Sequence, residues 1–183
     1  SRAMINSGRT LFHLEESGRN IPPHDITLGQ CFLNGGYHCV EIGKWHNGVE
    51  SFSRSFDDGK HIFFGGMWDH WNVPVNDFKP DGAYNQEIHF TPNFSASSDA
   101  VLVRAEKIHA GVHSTDLFSG AAVEYLRGYS DEKPFFMYLS SLYGTTEVLF
   151  ILHYRECLII NKIIGLTTFL TLTFIKINFE CSR

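Results

Sequence analysis

The chain has 183 residues, of which 43% are hydrophobic and 19% charged, so it is long and apolar enough for one domain with a core, and disorder is not its default. Its formal net charge of −5 gives no general attraction to nucleic acid. Four cysteines (Cys31, Cys39, Cys157 and Cys181) form no CxxC or paired ligand spacing, which supports neither a zinc site nor a dithiol motif; Cys31 and Cys39 read as small buried residues.

The chain opens Ser1-Arg2 with no initiator Met and reads as an internal fragment, so the lack of a leader says nothing about compartment. Residues 1–9 suit a short helix closed by Gly8, and 18–25, rich in Gly, Pro and polar residues, suit a loop. Thr27 is placed to cap a helix running to about Asn34, with Leu28, Phe32 and Leu33 inward and Gly35 at its end. Residues 37–42 then carry apolar side chains on both faces, as a buried strand of an α/β sheet does. Residues 47–100 show weak periodicity and many Gly, Asp, Asn and Pro. A long irregular segment is expected there, either functional or packed by its own aromatics.

His113-Ser114-Thr115-Asp116 opens the clearest helix, with Ser114 or Thr115 as its cap. Leu117, Phe118, Ala121, Ala122, Tyr125 and Leu126 make its apolar face and Gly128 ends it. Pro134 sits at the first position of a central buried strand over 134–142. The composition then breaks: residues 144–183 contain no Asp, Pro or Ala. The expected division is therefore 1–143 as domain sequence and 144–183 as an atypical hydrophobic tail, for example translated non-coding sequence. Transcript running uninterrupted through the codons for 142–147 would count against that. The longest uncharged run of the tail, 163–175, is too short for a comfortable membrane span.

Lys44 and His46 fall just beyond the expected strand end, where α/β folds place ligands. A lysine supplies a fixed positive charge, and a histidine can donate or accept a proton near neutral pH. With an arginine nearby the set suits a tetrahedral oxyanion such as sulfate or phosphate. On spacing alone the plainer reading is a solvated turn.

A family resemblance reverses that balance. Gly36-Tyr37-His38-Cys39-Val40-Glu41-Ile42-Gly43-Lys44-Trp45-His46 resembles the second sulfatase signature, G-Y-x-[ST]-x-x-x-G-K-W-H, with Cys39 standing where the family prefers Ser or Thr. Ser1-Arg2-Ala3-Met4-Ile5-Asn6-Ser7-Gly8-Arg9 is similar to the later part of the first signature, C-x-P-S-R-x-x-x-x-[ST]-G-R. The helix at Ser114 and the strand at Pro134 resemble later elements of the family. The matches cover roughly residues 1–142.

The resemblance implies a partial alkaline-phosphatase-like α/β sandwich, with a mostly parallel or mixed sheet and flanking helices. It implies hydrolysis of a sulfate ester by a formylglycine nucleophile, with Ca2+ polarising the sulfate oxygens. By position, Arg2 would hold the nucleophile and its oxyanion. Lys44 would bind the sulfate, and His46 would hydrogen-bond the nucleophile and assist expulsion of sulfate. Arg9 would be structural. Asp69, His70, Trp71 and Asn72 match no general signature, and their polar-aromatic mix suits a sugar or aryl pocket or, equally, loop packing.

The departures matter too. The nucleophile is expected three residues before Ser1, and the metal-ligating carboxylates lie outside this chain, so no metal ligand is assigned within it. Leu142-Tyr143-Gly144 stands where the family usually shows Pro-His. The chain alone is therefore expected to be inactive. The partner class is a sulfated small molecule or glycan, with neither nucleic acid nor membrane expected, and a secreted, periplasmic or lysosomal setting is only the family's habit. The alternatives are a phosphomonoesterase or phosphodiesterase relative on the same fold, or an inactive truncated product.

Overall fold

A computed structural model describes residues 2–10, 14, 20–90, 101–142 and 148–153, with the backbone alone at 90, 101 and 148–153. The composition break at 143–147, the run 163–175, Cys157 and Cys181 lie outside the described residues.

The expected α/β architecture is present. Helix α1 spans Arg2–Ser7, α2 Leu28–Asn34, α3 Val49–Ser53 and α4 Ser114–Gly128. The main sheet has four strands: β1 (His38–Lys44), β2 (Asp58–Phe63), β7 (Phe135–Ser140) and β8 (Val148–His153). Their order is β2-β1-β7-β8. Strand β1 pairs in parallel with both β2 and β7, and β8 closes the sheet antiparallel to β7. Two small antiparallel pairs stand apart from it: β3 (Pro74–Val75) with β6 (Lys107–Ile108), and β4 (Glu87–Phe90) with β5 (Val101–Arg104). No helix among the described residues is long and apolar enough to cross a membrane.

Strand alternation sends side chains to two cores. On one face Cys39, Trp45, Phe136 and Tyr138 pack with Ala3 of α1 and Phe52 of α3, backed by Leu28, Phe32 and Leu33 of α2. On the other face Val40, Ile42, Phe135 and Met137 meet Phe118, Ala121 and Ala122 of α4. Helices on both faces of a parallel core explain why β1 and β7 read as continuous apolar runs. The capping of α2 is as expected at Thr27, and Gln30 completes a reciprocal capping box.

Four sequence expectations need correction. Strand β1 runs on to Lys44, so that residue ends the strand instead of following it. Gly43 permits this: its φ is 107°, and a Cβ there would lie 2.0 Å from the carbonyl oxygen of Ser140. The cap of α4 is His113, which accepts from the Thr115 N–H, because the Ser114 hydroxyl is engaged elsewhere. Cys31 is exposed. It lies two positions past Gly29, the residue α2 presses against Ser55, which turns it about 200° away around the helix. Finally, the segment expected to be irregular contains α3 and β2. Strand β2 (Asp-Gly-Lys-His-Ile-Phe) has apolar side chains only in its last two positions, so no strand period shows in the sequence.

Candidate functional site

Trp45 fixes the turn after β1. Its side chain is fully buried, edge-on to Phe56 and Tyr138, and its Nε1–H donates to Gly48 O at 2.9 Å and Ser51 Oγ at 3.0 Å. With Trp45 and Asn47 both buried, the residue between them is turned outward: His46 is exposed and holds a left-handed φ of 67°. Its ring lies over Gly66, where a Cβ would approach Nε2 to 3.5 Å. The Lys44 ammonium donates to the carbonyl oxygen of the same Gly66. Lys44 and His46 thus share one neighbour, and a Cβ at 66 would lie in ordinary contact with the imidazole.

Arg2 arrives from the first residue of α1 and is buried. Its Nε donates to Ser140 Oγ at 3.0 Å and its Nη2 to Ser141 O at 2.7 Å, so it is clamped to the C-terminal end of β7. Lys44 occupies the C-terminal end of the adjacent parallel strand. Burial, and then the nearby Arg2 charge, push the Lys44 ammonium down to about 8. Burial likewise lowers the Arg2 guanidinium, with Tyr138 and Glu41 opposing the shift. Two desolvated cations, one of which depresses the other, are a place where an anion is favoured, because it relieves both the repulsion and the lost solvation. The crevice outside the carboxyl ends of parallel strands is also where open α/β sheets hold ligands.

The second group of sequence candidates divides. Asp69 and Asn72 bind one another: Asn72 Nδ2 donates to Asp69 Oδ2 at 2.6 Å, and the Trp71 N–H donates to Asp69 Oδ1 at 3.0 Å. Those bonds hold the Asp69 carboxyl below its ordinary range and use the pair to shape the turn. His70 and Trp71 are the residues the turn presents. His70 Nδ1 lies 2.8 Å from Ser114 Oγ, and its ring stacks on His113 at 5.2 Å and 10°. Burial, then His113 and, more weakly, Lys44 push the His70 imidazole down, against Asp69. Trp71 is 54% exposed and meets His113 edge-on at 5.0 Å.

Sequence reasoning missed Glu41, Gly66, His113, Ser140 and Ser141 as parts of this site. Only Glu41 left a signal, as one carboxylate inside an otherwise buried strand. It is fully buried, neither carboxylate oxygen has a hydrogen-bond partner, and burial holds its pKa well above the ordinary value despite the Arg2 charge. Cys39 is a packing residue: its Sγ lies 3.6 Å from Gly29 O, and burial pushes the thiol up to about 12. Arg9 is structural as expected, pairing with the buried Asp25 carboxylate at 2.5 Å. A cleft of about 480 Å³ opens elsewhere, lined by Asn20, Asn47, Glu50 and Arg104 among others, and contains none of the candidate side chains. Among the described residues no three His, Cys, Asp or Glu side chains converge as a metal ion requires.

In sequence the chain is similar to an arylsulfatase of Hemicentrotus pulcherrimus, 25% identical over 145 residues that make up 77% of this chain and 25% of that relative. The likeness is to a sulfatase. The chain spans about a quarter of the relative's length. No family model matches it.

Proposed function

We propose that this chain carries the sulfate-holding side of a sulfuric ester hydrolase. The observation that carries the reading is the meeting of Arg2 and Lys44 at neighbouring strand ends, with His46 displayed beside them. The likeness to an arylsulfatase supports it. Lys44 supplies the charge that binds a sulfate oxygen. Arg2, fixed by Ser140 and Ser141, supplies a second positive charge behind it. His46 donates a hydrogen bond at the open side, where the ester oxygen would lie.

In the whole protein this arrangement would face a formylglycine nucleophile. Calcium, which the resemblance also implies, needs carboxylate ligands that the described residues do not assemble, and no step here runs through it. The 183-residue chain binds sulfate without turning an ester over.

Isothermal titration with sodium sulfate tests this directly. Sulfate stays doubly charged above neutral pH, so any pH dependence belongs to the protein. Above neutral pH affinity falls as pH rises through about 8, where Lys44 loses its proton. Lys44→Met, an apolar swap at a buried position, weakens binding by about tenfold or more, since a hydrogen bond to a charged group contributes about 1.5–3 kcal/mol. Equal affinities for Lys44→Met and the parent chain would overturn the reading.

A further inference from the structure

The cleft of about 480 Å³ lies apart from the sulfate-site side chains and has a framework of its own. Its floor is the turn after β1, where Asn47, Gly48 and Ser51 line it and His46 does not. That floor is held from below: Trp45 Nε1–H donates to Gly48 O and Ser51 Oγ, and the Ser51 hydroxyl donates to Asn47 O at 2.5 Å. The wall at 21–23 is fixed by Arg54, whose Nη2 donates to Ile21 O at 3.0 Å and Pro22 O at 2.9 Å, and whose Nη1 donates to Pro23 O at 3.1 Å. The Asn20 amide oxygen lies over Gly48, where a Cβ would approach it to 2.6 Å. Preformed walls of this kind are what small-ligand sites have.

The polar groups of the cleft lack partners within the chain. Asn47 is 2% exposed, lines the cleft, and its Nδ2 has no hydrogen-bond partner. A buried amide donor left unpaired is unfavourable, and a ligand oxygen would satisfy it. Two opposite charges line the same space, Glu50 from α3 and Arg104 from β5. Among the described residues neither forms an ion pair. A ligand with one sign of charge would meet one of them as a like charge. A neutral ligand would strip water from both and give neither a counter-charge. A ligand carrying both signs satisfies the set: its carboxylate accepts from the Arg104 fork and from Asn47 Nδ2, and its ammonium donates to Glu50. Ile21, Pro22 and Val49 supply carbon surface for its apolar part.

We propose that this cleft is a second ligand site, separate from the sulfate site, and that it takes a small zwitterion of dipeptide size. The full 183-residue chain is titrated with glycyl-leucine, with N-acetyl-glycyl-leucine, which lacks the ammonium, and with glycyl-leucinamide, which lacks the carboxylate. The free dipeptide binds about three- to tenfold more tightly than either blocked form, the range for one charge-assisted contact at a partly exposed site. Arg104→Gln removes the preference over the amide alone, and Glu50→Gln the preference over the acetylated form alone. Both residues are exposed, so both variants keep the fold, which circular dichroism verifies. Neither variant changes the affinity for inorganic sulfate.

Equal binding of the three peptides, or binding of none at millimolar concentration, overturns the proposal on the parent chain alone, whatever the variants do. Sulfate binding weakened by Arg104→Gln would make the cleft a simple anion site and overturns it as well.

Discussion

Strand β1 carries charge at both ends, and the two ends are built on opposite principles. At its start, His38 sits between two carboxylates, with Nδ1 3.1 Å from Asp57 and Nε2 3.5 Å from Asp58, and its ring stacks near Tyr125 and Tyr129. The bonds to Asp57 and then Asp58 raise its pKa to about 9, so the pair is charged and satisfied at neutral pH. At its end, Lys44 faces Arg2, both are depressed, and the Glu41 carboxyl near Arg2 is buried without a hydrogen bond. One end contributes to folding. The other holds like charges together at a cost that a bound anion would offset.

The sharpest way to break the contrast is at Gly43. Alanine there meets the Ser140 carbonyl and a φ of 107°, so Gly43→Ala should cost more than about 3 kcal/mol in urea denaturation. Gly36→Ala, at a φ of 82° but in open space, should cost only about 1 kcal/mol. Similar losses at the two positions would show that close packing at the strand end is not what Gly43 serves.

Glu41 gives the next effect. Its folded pKa is raised, so its contribution is most favourable below the ordinary carboxyl range and is lost as pH rises toward the folded value. Glu41→Gln removes the titration while keeping the shape, and should stabilise the chain by about 1–3 kcal/mol at pH 7 with little change at pH 4. A variant less stable than the parent at pH 7 would mean that Glu41 is ionised and needed by Arg2.

His38 gives the smallest effect. Its folded pKa is also raised, so its ion pairs stabilise fully below its ordinary pKa and fade as pH climbs through about 9. His38→Gln should cost about 1 kcal/mol at pH 6, discounted for partial exposure, and nothing measurable at pH 10. Equal costs at both pH values would assign the effect to stacking on the tyrosines.

Much of the layered frame was legible because its parts follow local rules. Thr27 and Gly35 bound α2, the apolar stripe of α4 has helical spacing, and β1 and β7 are apolar on both faces. Strand β2 was hidden because Lys60 and His61 interrupt its apolar run, and His61 is buried as a neutral ring, pushed down to about 4 mainly by burial. Lys44 and His46 were visible as a motif. What they touch was not, since Gly66, Ser140 and Arg2 come from distant points of the chain. The pairing of Asp69 with Asn72 was likewise invisible, because the composition of a turn does not say which polar groups are used up in making it.

The clamp on Arg2 joins residues 138 positions apart to Ser140 and 139 apart to Ser141. Contacts of such separation close large loops, and their entropy is met late, after the local helices and the neighbouring strands have formed. Until that closure the two cations are apart, Lys44 titrates as an ordinary amine, and no anion is preferred. The proposed sulfate affinity would therefore depend on that closure, and added sulfate should slow unfolding by holding the two distant segments together.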